Sequence, residues 1–187
     1  MKVLAALLLV SLVALGADEK SATLSPGAPP HWKHRITGLF SPDREADLRA
    51  ALEQIPGVQL VSLDFEHAEG EFAYDPAVAF QETKPEKIVE RFSNLLANAT
   101  HHTMAIAPLE PTPHEHLARV EIEVSGLDCK ACALAAYESI YKVDGVAAAT
   151  VDFKAGRVSA EIDSAKTNRA ALQEALKKRG VTLKAEP

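Results

Sequence analysis

Only two of the 187 residues are cysteine. These two, Cys129 and Cys132, are so close along the chain that a disulfide between them would close a very short loop and stabilise the fold little. The scarcity and spacing of cysteine therefore argue against a disulfide that serves structure alone. They favour chemistry at the two sulfur atoms.

Positive charge is also scarce, because 20 Lys and Arg residues are outnumbered by 26 Asp and Glu residues, which gives a formal net charge of −6. This acidic balance gives no support for nucleic-acid binding. No Ser/His/Asp order, phosphate-binding loop or paired-carboxylate site stands out in the sequence. We therefore expect a protein that is not an enzyme.

Long apolar runs are missing apart from one near the N-terminus, from Val3 to Leu15. With the small residues around its end, this run predicts a secretory signal peptide over residues 1–16, cleaved near Gly16/Ala17. The run is shorter than the ~20 apolar residues that span a membrane. We expect export to the periplasm or the exterior without stable membrane insertion, with a retained N-terminal anchor as the alternative.

Proline divides the remaining chain. The Pro/Gly-rich stretch SPGAPP predicts a flexible tether over residues 17–31. Three further prolines in PLEPTPHEH, residues 108–116, predict a stiff and extended linker. This linker separates residues 32–107 from residues 117–187, which we expect to be two separable domains.

The two predicted domains repeat one pattern. The matching blocks are GLFSPDR at Gly38 with GLDCKAC at Gly126, IPGV with VDGV, and LDF with VDF, and the members of each pair are 88 residues apart. Three blocks at one spacing indicate a duplicated domain.

Each copy predicts the order β-α-β-β-α-β. In the second copy we expect strands over 119–125, 147–153, 157–162 and 181–184 and helices over 130–143 and 168–179. In the first copy we expect strands over 33–37, 59–65, 71–74 and 103–106 and helices over 42–55 and 85–98. This α+β order is typical of the ferredoxin-like sandwich, a four-stranded antiparallel sheet with two helices on one face. The sequence predicts two such sandwiches in tandem.

Both cysteines lie where the first strand of the second copy leads into its first helix. Unpaired backbone N–H groups and the positive end of the helix dipole favour thiolates at such a position. Two thiolates three residues apart can converge on a single ion. Sulfur ligands suit soft metals such as Cu(I), and Zn(II) as well.

The stretch GLDCKAC, followed by a helix and VDGV, resembles the heavy-metal-associated domain of copper chaperones, metal-transporting ATPases and periplasmic mercury-binding proteins. The family signature is G-M-x-C-x-x-C, and Leu127 replaces the Met here. The resemblance covers about residues 117–184. It implies that Cys129 and Cys132 bind one soft metal ion, Cu(I) in the first place and Hg(II) or Zn(II) otherwise. The ion would be carried or sequestered, with a metal-transporting membrane protein or another thiol protein as donor or acceptor.

Two features of the sequence depart from what the family implies, one in each copy. In the first copy Ser41 and Arg44 replace the two cysteines, and neither is a soft ligand. We therefore expect this copy to be degenerate, with a structural or partner-facing role. In family members a residue of the loop after the second helix often approaches the metal, but Val181 offers neither a ligand nor a charge there.

Two other functions fit the same cysteines. The motif C-x-x-C on a strand-to-helix turn also occurs in thioredoxin-like proteins, so the first alternative is an exported dithiol/disulfide exchange protein. Against it, the surround Trp-Cys-Gly-Pro-Cys is missing, and Asp128 opposes thiolate formation, which Lys130 partly offsets. The second alternative is an interaction module that needs no metal.

Histidines on both sides of the linker suggest another copper-binding group. His101 and His102 with Met104 precede the linker, and His114 and His116 lie within it. Such side chains can hold copper where thiols are oxidised. The alternative is that the linker histidines are solvated and that the other two end a helix, where imidazole interacts favourably with the dipole.

Overall fold

The computed structural model describes residues 28–184, so the predicted signal peptide lies outside the described residues. Within this range the chain forms two four-stranded antiparallel sheets, each packed against helices. Among the helices of residues 28–184, none combines the length and the apolar character that crossing a membrane requires.

The first half comprises residues 31–107. It contains β1 (His31–Thr37), α1 (Arg44–Leu52), β2 (Gln59–Asp64), β3 (Glu69–Ala73), α2 (Pro76–Ala79), α3 (Ile88–Ala99) and β4 (Ala105–Ala107). The strand order is β2-β3-β1-β4, with antiparallel pairing throughout. Leu48 of α1 and Phe92 of α3 pack in one core with Ile36 and Phe72 of the sheet.

The second half comprises residues 118–183. It contains β5 (Ala118–Ser125), α4 (Lys130–Tyr141), β6 (Val146–Asp152), β7 (Arg157–Ile162), α5 (Arg169–Lys178) and β8 (Thr182–Leu183). The strand order is β6-β7-β5-β8, which places β6 at one edge. Ala136 of α4 and Leu172 of α5 pack in one core with Ile122 and Val124 of β5.

The α+β class and the two four-stranded antiparallel sheets agree with the prediction, and most bounds differ by one or two residues. Two helices begin two or three residues later than predicted. Helix α1 starts at Arg44 because the Ser41 hydroxyl donates to the Asp43 carboxylate (2.5 Å) instead of capping the helix at Pro42. Helix α3 starts at Ile88 because the predicted first turn, Pro85–Lys87, is a short 3-10 helix. The short helix α2, capped by Asp75, was not predicted. The predicted tether ends early, because His31 already belongs to β1.

A glycine with positive φ ends the turn after the first strand of each half. Gly38 has φ +82° and Gly126 has φ +81°, a left-handed conformation that side chains rarely adopt. A Cβ atom on Gly38 would lie 1.9 Å from the backbone oxygen of Thr103, whereas a Cβ atom on Gly126 would have no neighbour within 4 Å. The two glycines therefore share this φ angle but differ in the space around them.

This difference gives a test of the first half's packing. Gly126→Ala should lower the free energy of unfolding by about 1–2 kcal/mol, the strain of a left-handed residue. Gly38→Ala adds a backbone clash to the same strain and should cost more than about 4 kcal/mol. Denaturant unfolding of both variants measures the difference, and equal losses would contradict the packing described for Gly38.

The halves meet along the open edge of β6. Phe40, in the loop after β1, is 3% exposed and packs in the core of the second half, with its ring 5.7 Å from that of Tyr137. The backbone N–H of Val151 in β6 donates to the oxygen of Phe40 (2.7 Å), and the N–H of Gly38 donates to the Tyr137 hydroxyl (2.8 Å). These contacts run against the prediction of separable domains, because they make one loop of the first half part of the second core.

Removing the Phe40 side chain should loosen this junction. Phe40→Ala is expected to destabilise the protein by about 3–5 kcal/mol and to speed amide hydrogen exchange in β6. The matched control is Phe80→Ala, because Phe80 is equally buried but lies in the first core alone. Exchange measured by mass spectrometry should be faster in β6 only for Phe40→Ala; equal acceleration in both variants would mean that Phe40 does not join the halves.

Candidate functional site

The two cysteines lie on the loop from β5 into α4. Gly126 turns the chain, and the side chain of Leu127 is 4% exposed and anchors the loop in the second core. Cys129 is the N-cap of α4 in an extended conformation, and its Sγ accepts a hydrogen bond from the backbone N–H of Cys132 (3.2 Å). This is the capping geometry that satisfies an otherwise unpaired helix N–H group.

Both sulfur atoms are accessible and lie together. Cys129 is exposed and Cys132 is half-buried, and both are free thiols. A side-chain hydrogen bond links the two groups. The loop therefore presents a sulfur pair at the surface, as the strand-to-helix pattern predicted.

The two thiols differ in their tendency to ionise. The pKa of Cys129 is lowered, first by the hydrogen bond from the Cys132 thiol and then by the backbone N–H of Cys132, while the charge of Asp128 opposes this shift. The pKa of Cys132 is raised, first by the same hydrogen bond to Cys129. Cys129 is thus the first of the two to become a thiolate.

Lys130 was predicted to offset the charge of Asp128 beside the thiolate, but its ammonium group is paired with another carboxylate. Its ammonium group pairs with the Asp43 carboxylate of the first half (2.5 Å), and its hydrogen bond is the first cause of the lowered pKa of Asp43. Both side chains are largely exposed, so the pair contributes little to stability. It does connect the cysteine loop to the corresponding loop of the first half.

That corresponding loop is built as a structural element. Ser41 is buried, and the Arg44 guanidinium donates to the Thr103 hydroxyl (2.7 Å) and to the Asp47 carboxylate (2.6 Å). The same guanidinium lies 5.4 Å from the centre of the Phe40 ring. The residues in the place of the cysteines therefore brace the Phe40 loop, and the structural or partner-facing role of this copy stays a prediction.

The loop after α5 contains Gly180 and Val181. Gly180 turns the chain with φ +83°, and the N–H of Val181 donates to the oxygen of Leu176 (3.1 Å). The Val181 side chain packs against the second core.

The predicted His/Met copper group is not assembled. His101 and His102 follow the end of α3 and are exposed, whereas the Met104 side chain is 1% exposed in the first core. Within the linker, His116 is exposed, as a solvated residue would be. His114 is half-buried and lies beside His67 and two carboxylates, which the linker sequence gave no reason to expect.

A surface pair of thiols at a helix N-terminus can bind a soft metal ion or take part in thiol exchange. The family model of the heavy-metal-associated domain matches residues 121–181. The resemblance predicted from the sequence is confirmed over this segment.

A curated relative is similar in sequence to most of this chain. A copper-exporting P-type ATPase of Bacillus subtilis (strain 168) is 25% identical over 150 residues, which is 80% of this chain and 16% of the ATPase. The chain therefore spans about a sixth of the length of this curated relative.

Three solved structures are similar to part of the chain. The CopZ metallochaperone is 25% identical and covers 36% of this chain and 100% of its own, with a TM-score of 0.35. Oxidized MerP from Ralstonia metallidurans CH34 is 28% identical, with coverages of 38% and 99% and a TM-score of 0.36. The Cu(I)-loaded N-terminal domain of a potential copper-translocating P-type ATPase from Bacillus subtilis is 32% identical, with coverages of 36% and 85% and a TM-score of 0.35.

The hydrogen bond between the thiols has a measurable consequence. Cys129 should be alkylated by iodoacetamide at lower pH than Cys132, because the thiolate is the reactive form. Cys132→Ala removes the donor and should raise the pKa of Cys129, while Cys129→Ala should lower the pKa of Cys132. Mass spectrometry of both thiols across a pH series tests the order; identical profiles in all three proteins would contradict the hydrogen bond.

Proposed function

We propose that this protein binds one soft metal ion, Cu(I) in the first place, through Cys129 and Cys132, and that it carries or sequesters this ion. The observation that supports the proposal most directly is the accessible sulfur pair at the N-terminus of α4. Thiolate ligands select soft ions, so Hg(II) and Zn(II) are the other candidates. The similarity to a copper-exporting ATPase favours copper.

The proposed mechanism is ligand exchange. Cys129, with its lowered pKa, supplies the first thiolate, and Cys132 loses its proton as it closes on the ion. An ion held by only two sulfur atoms keeps an open side. A thiolate of a donor or acceptor protein can therefore add before one of the two cysteines departs, and a metal-transporting membrane protein is the partner class that we propose.

The setting of this site is part of the proposal. The constant spacing of 88 residues and the same strand order in both sheets support two tandem ferredoxin-like domains, of which the first has no cysteine. The apolar run that precedes residue 17 supports export before the protein meets its metal.

The site predicts defined metal uptake. Reduced protein should bind about one equivalent of Cu(I) in competition with a chromophoric Cu(I) chelator without oxygen, and the affinity should rise with pH because binding releases thiol protons. Cys129→Ser and Cys132→Ser should each abolish this uptake. Asp128→Asn is the matched control, since it changes the same loop but no ligand. Uptake that survives Cys129→Ser would overturn the proposal.

A dithiol/disulfide exchange function is the second candidate, favoured by the contact between the thiols and the lowered pKa of Cys129. Exchange-active pairs have reduction potentials of roughly −120 to −270 mV. Equilibration with glutathione measures the potential, and a much lower value argues for metal binding. If the protein is instead a metal-independent module, the double Cys→Ser variant keeps its partner.

A further inference from the structure

Three side chains from separate parts of the chain meet where the halves join. His67 lies on the turn between β2 and β3, His114 on the turn His114–His116 of the linker, and Glu161 in β7. One possible ligand atom from each residue lies within 4.8 Å of those from the other two. The cysteine loop contributes nothing to this cluster.

The His67 ring is held by a carboxylate on one side. Its Nδ1 is 2.7 Å from Asp64 Oδ2, and its Nε2 is 3.6 Å from Glu161 Oε1. Because an ionised carboxylate only accepts hydrogen bonds, Nδ1 carries the hydrogen of the neutral ring. Nε2 then has a free lone pair that faces Glu161.

The His114 ring repeats this arrangement with its nitrogens exchanged. Its Nε2 is 3.0 Å from Glu69 Oε1, so Nδ1 has the free lone pair. Nδ1 lies 3.4 Å from Glu161 Oε2. Both of these facing atoms are buried and have no hydrogen-bond partner among the described residues.

With both imidazoles neutral, three electron-pair donors face one another at the centre of the cluster, a repulsive arrangement that a proton or a metal ion between them relieves. Each imidazole nitrogen lies 3.4 or 3.6 Å from a different oxygen of Glu161, close to the roughly 3.3 Å edge of a tetrahedron with metal–ligand bonds of about 2.0 Å. One ligand atom of each residue lies within 4.8 Å of the other two, so a modest rotation of the side chains would bring all three onto one ion. Histidine ligands whose second nitrogen donates to a carboxylate are the usual arrangement at metal sites.

We propose that His67, His114 and Glu161 form a metal site for a borderline divalent cation, Zn²⁺ or Cu²⁺. Two imidazoles and a carboxylate suit these ions, and a water molecule can complete the tetrahedron. Because the ligands come from the first half, the linker and the second half, the bound ion would fasten these three parts together. This site is independent of the proposed Cu(I) site, which uses soft sulfur ligands.

The test uses the full chain with Cys129→Ser and Cys132→Ser, so that the sulfur pair takes up no metal. Equilibrium dialysis against Zn²⁺ near neutral pH, followed by elemental analysis, should give about one Zn²⁺ per chain. In this background His114→Ala should weaken binding at least 100-fold, since loss of an outer carboxylate alone costs about 10–100-fold. Glu161→Gln should act in the same direction.

Matched controls come from the same segments. Asp64→Asn should weaken binding about 10–100-fold, whereas Glu66→Gln on the same turn should leave it unchanged. Likewise His116→Ala should not reproduce the effect of His114→Ala. Cu²⁺ should bind more tightly than Zn²⁺ in every protein that retains the site, following the usual order of affinities.

Two further measurements distinguish loss of this metal site from misfolding and from loss of the sulfur site. Zn²⁺ should slow amide exchange in the linker and in β7, and His114→Ala should remove this protection even where the variant folds normally. In the protein with both cysteines, His114→Ala should retain full Cu(I) uptake, which separates this proposal from the sulfur site. Absence of Zn²⁺ uptake would overturn the proposal, and so would uptake unaffected by His114→Ala.

Discussion

The open edge of β6 is the constraint on which the arrangement of the two halves depends. An edge strand presents unpaired N–H and C=O groups that must be covered or left to pair with another chain. The first half covers this edge: Phe40 accepts the hydrogen bond of the Val151 N–H, and the Arg35 guanidinium donates to the oxygen of Ala147 (3.1 Å). The buried Phe40 ring adds an apolar contact that neither hydrogen bond could provide.

The loop that covers this edge corresponds to the cysteine loop of the second half. At the spacing of 88 residues, Phe40 takes the place of Asp128, and Ser41 takes the place of Cys129. In the second half these positions expose the Asp128 carboxylate and the Cys129 sulfur, whereas in the first half the Phe40 ring packs into the core of the second half. The absence of sulfur ligands and the packing role therefore concern the same few residues. Through Asp43 this loop also pairs with the Lys130 ammonium of the cysteine loop.

Apolar spacing and turn residues were enough to predict the helices and strands, because these elements depend on residues that are close together in sequence. The bounds of β7 agree with the prediction, and Cys129 lies at the helix start that the apolar spacing placed there. The junction and the histidine cluster could not be found this way, because their residues are distant in sequence. His114 lies among prolines in a polar linker, and nothing nearby indicates that Glu69 and Glu161 will meet it. Phe40 did carry a signal, since an apolar residue stands where the aligned copy has an aspartate.

The cysteine pair and the histidine cluster differ in the accessibility of their ligand atoms and in the ions that these atoms prefer. An ion that must be passed on needs an open side, and Cys129 is exposed with its partner sulfur beside it. An ion that fastens parts of a fold needs ligands whose orientation is fixed beforehand, and Asp64 and Glu69 fix both rings of the histidine cluster. Soft sulfur and harder imidazole and carboxylate groups also prefer different ions. The two proposals together therefore describe one chain with a site for a transferable ion at its surface and a site for a retained ion at its junction.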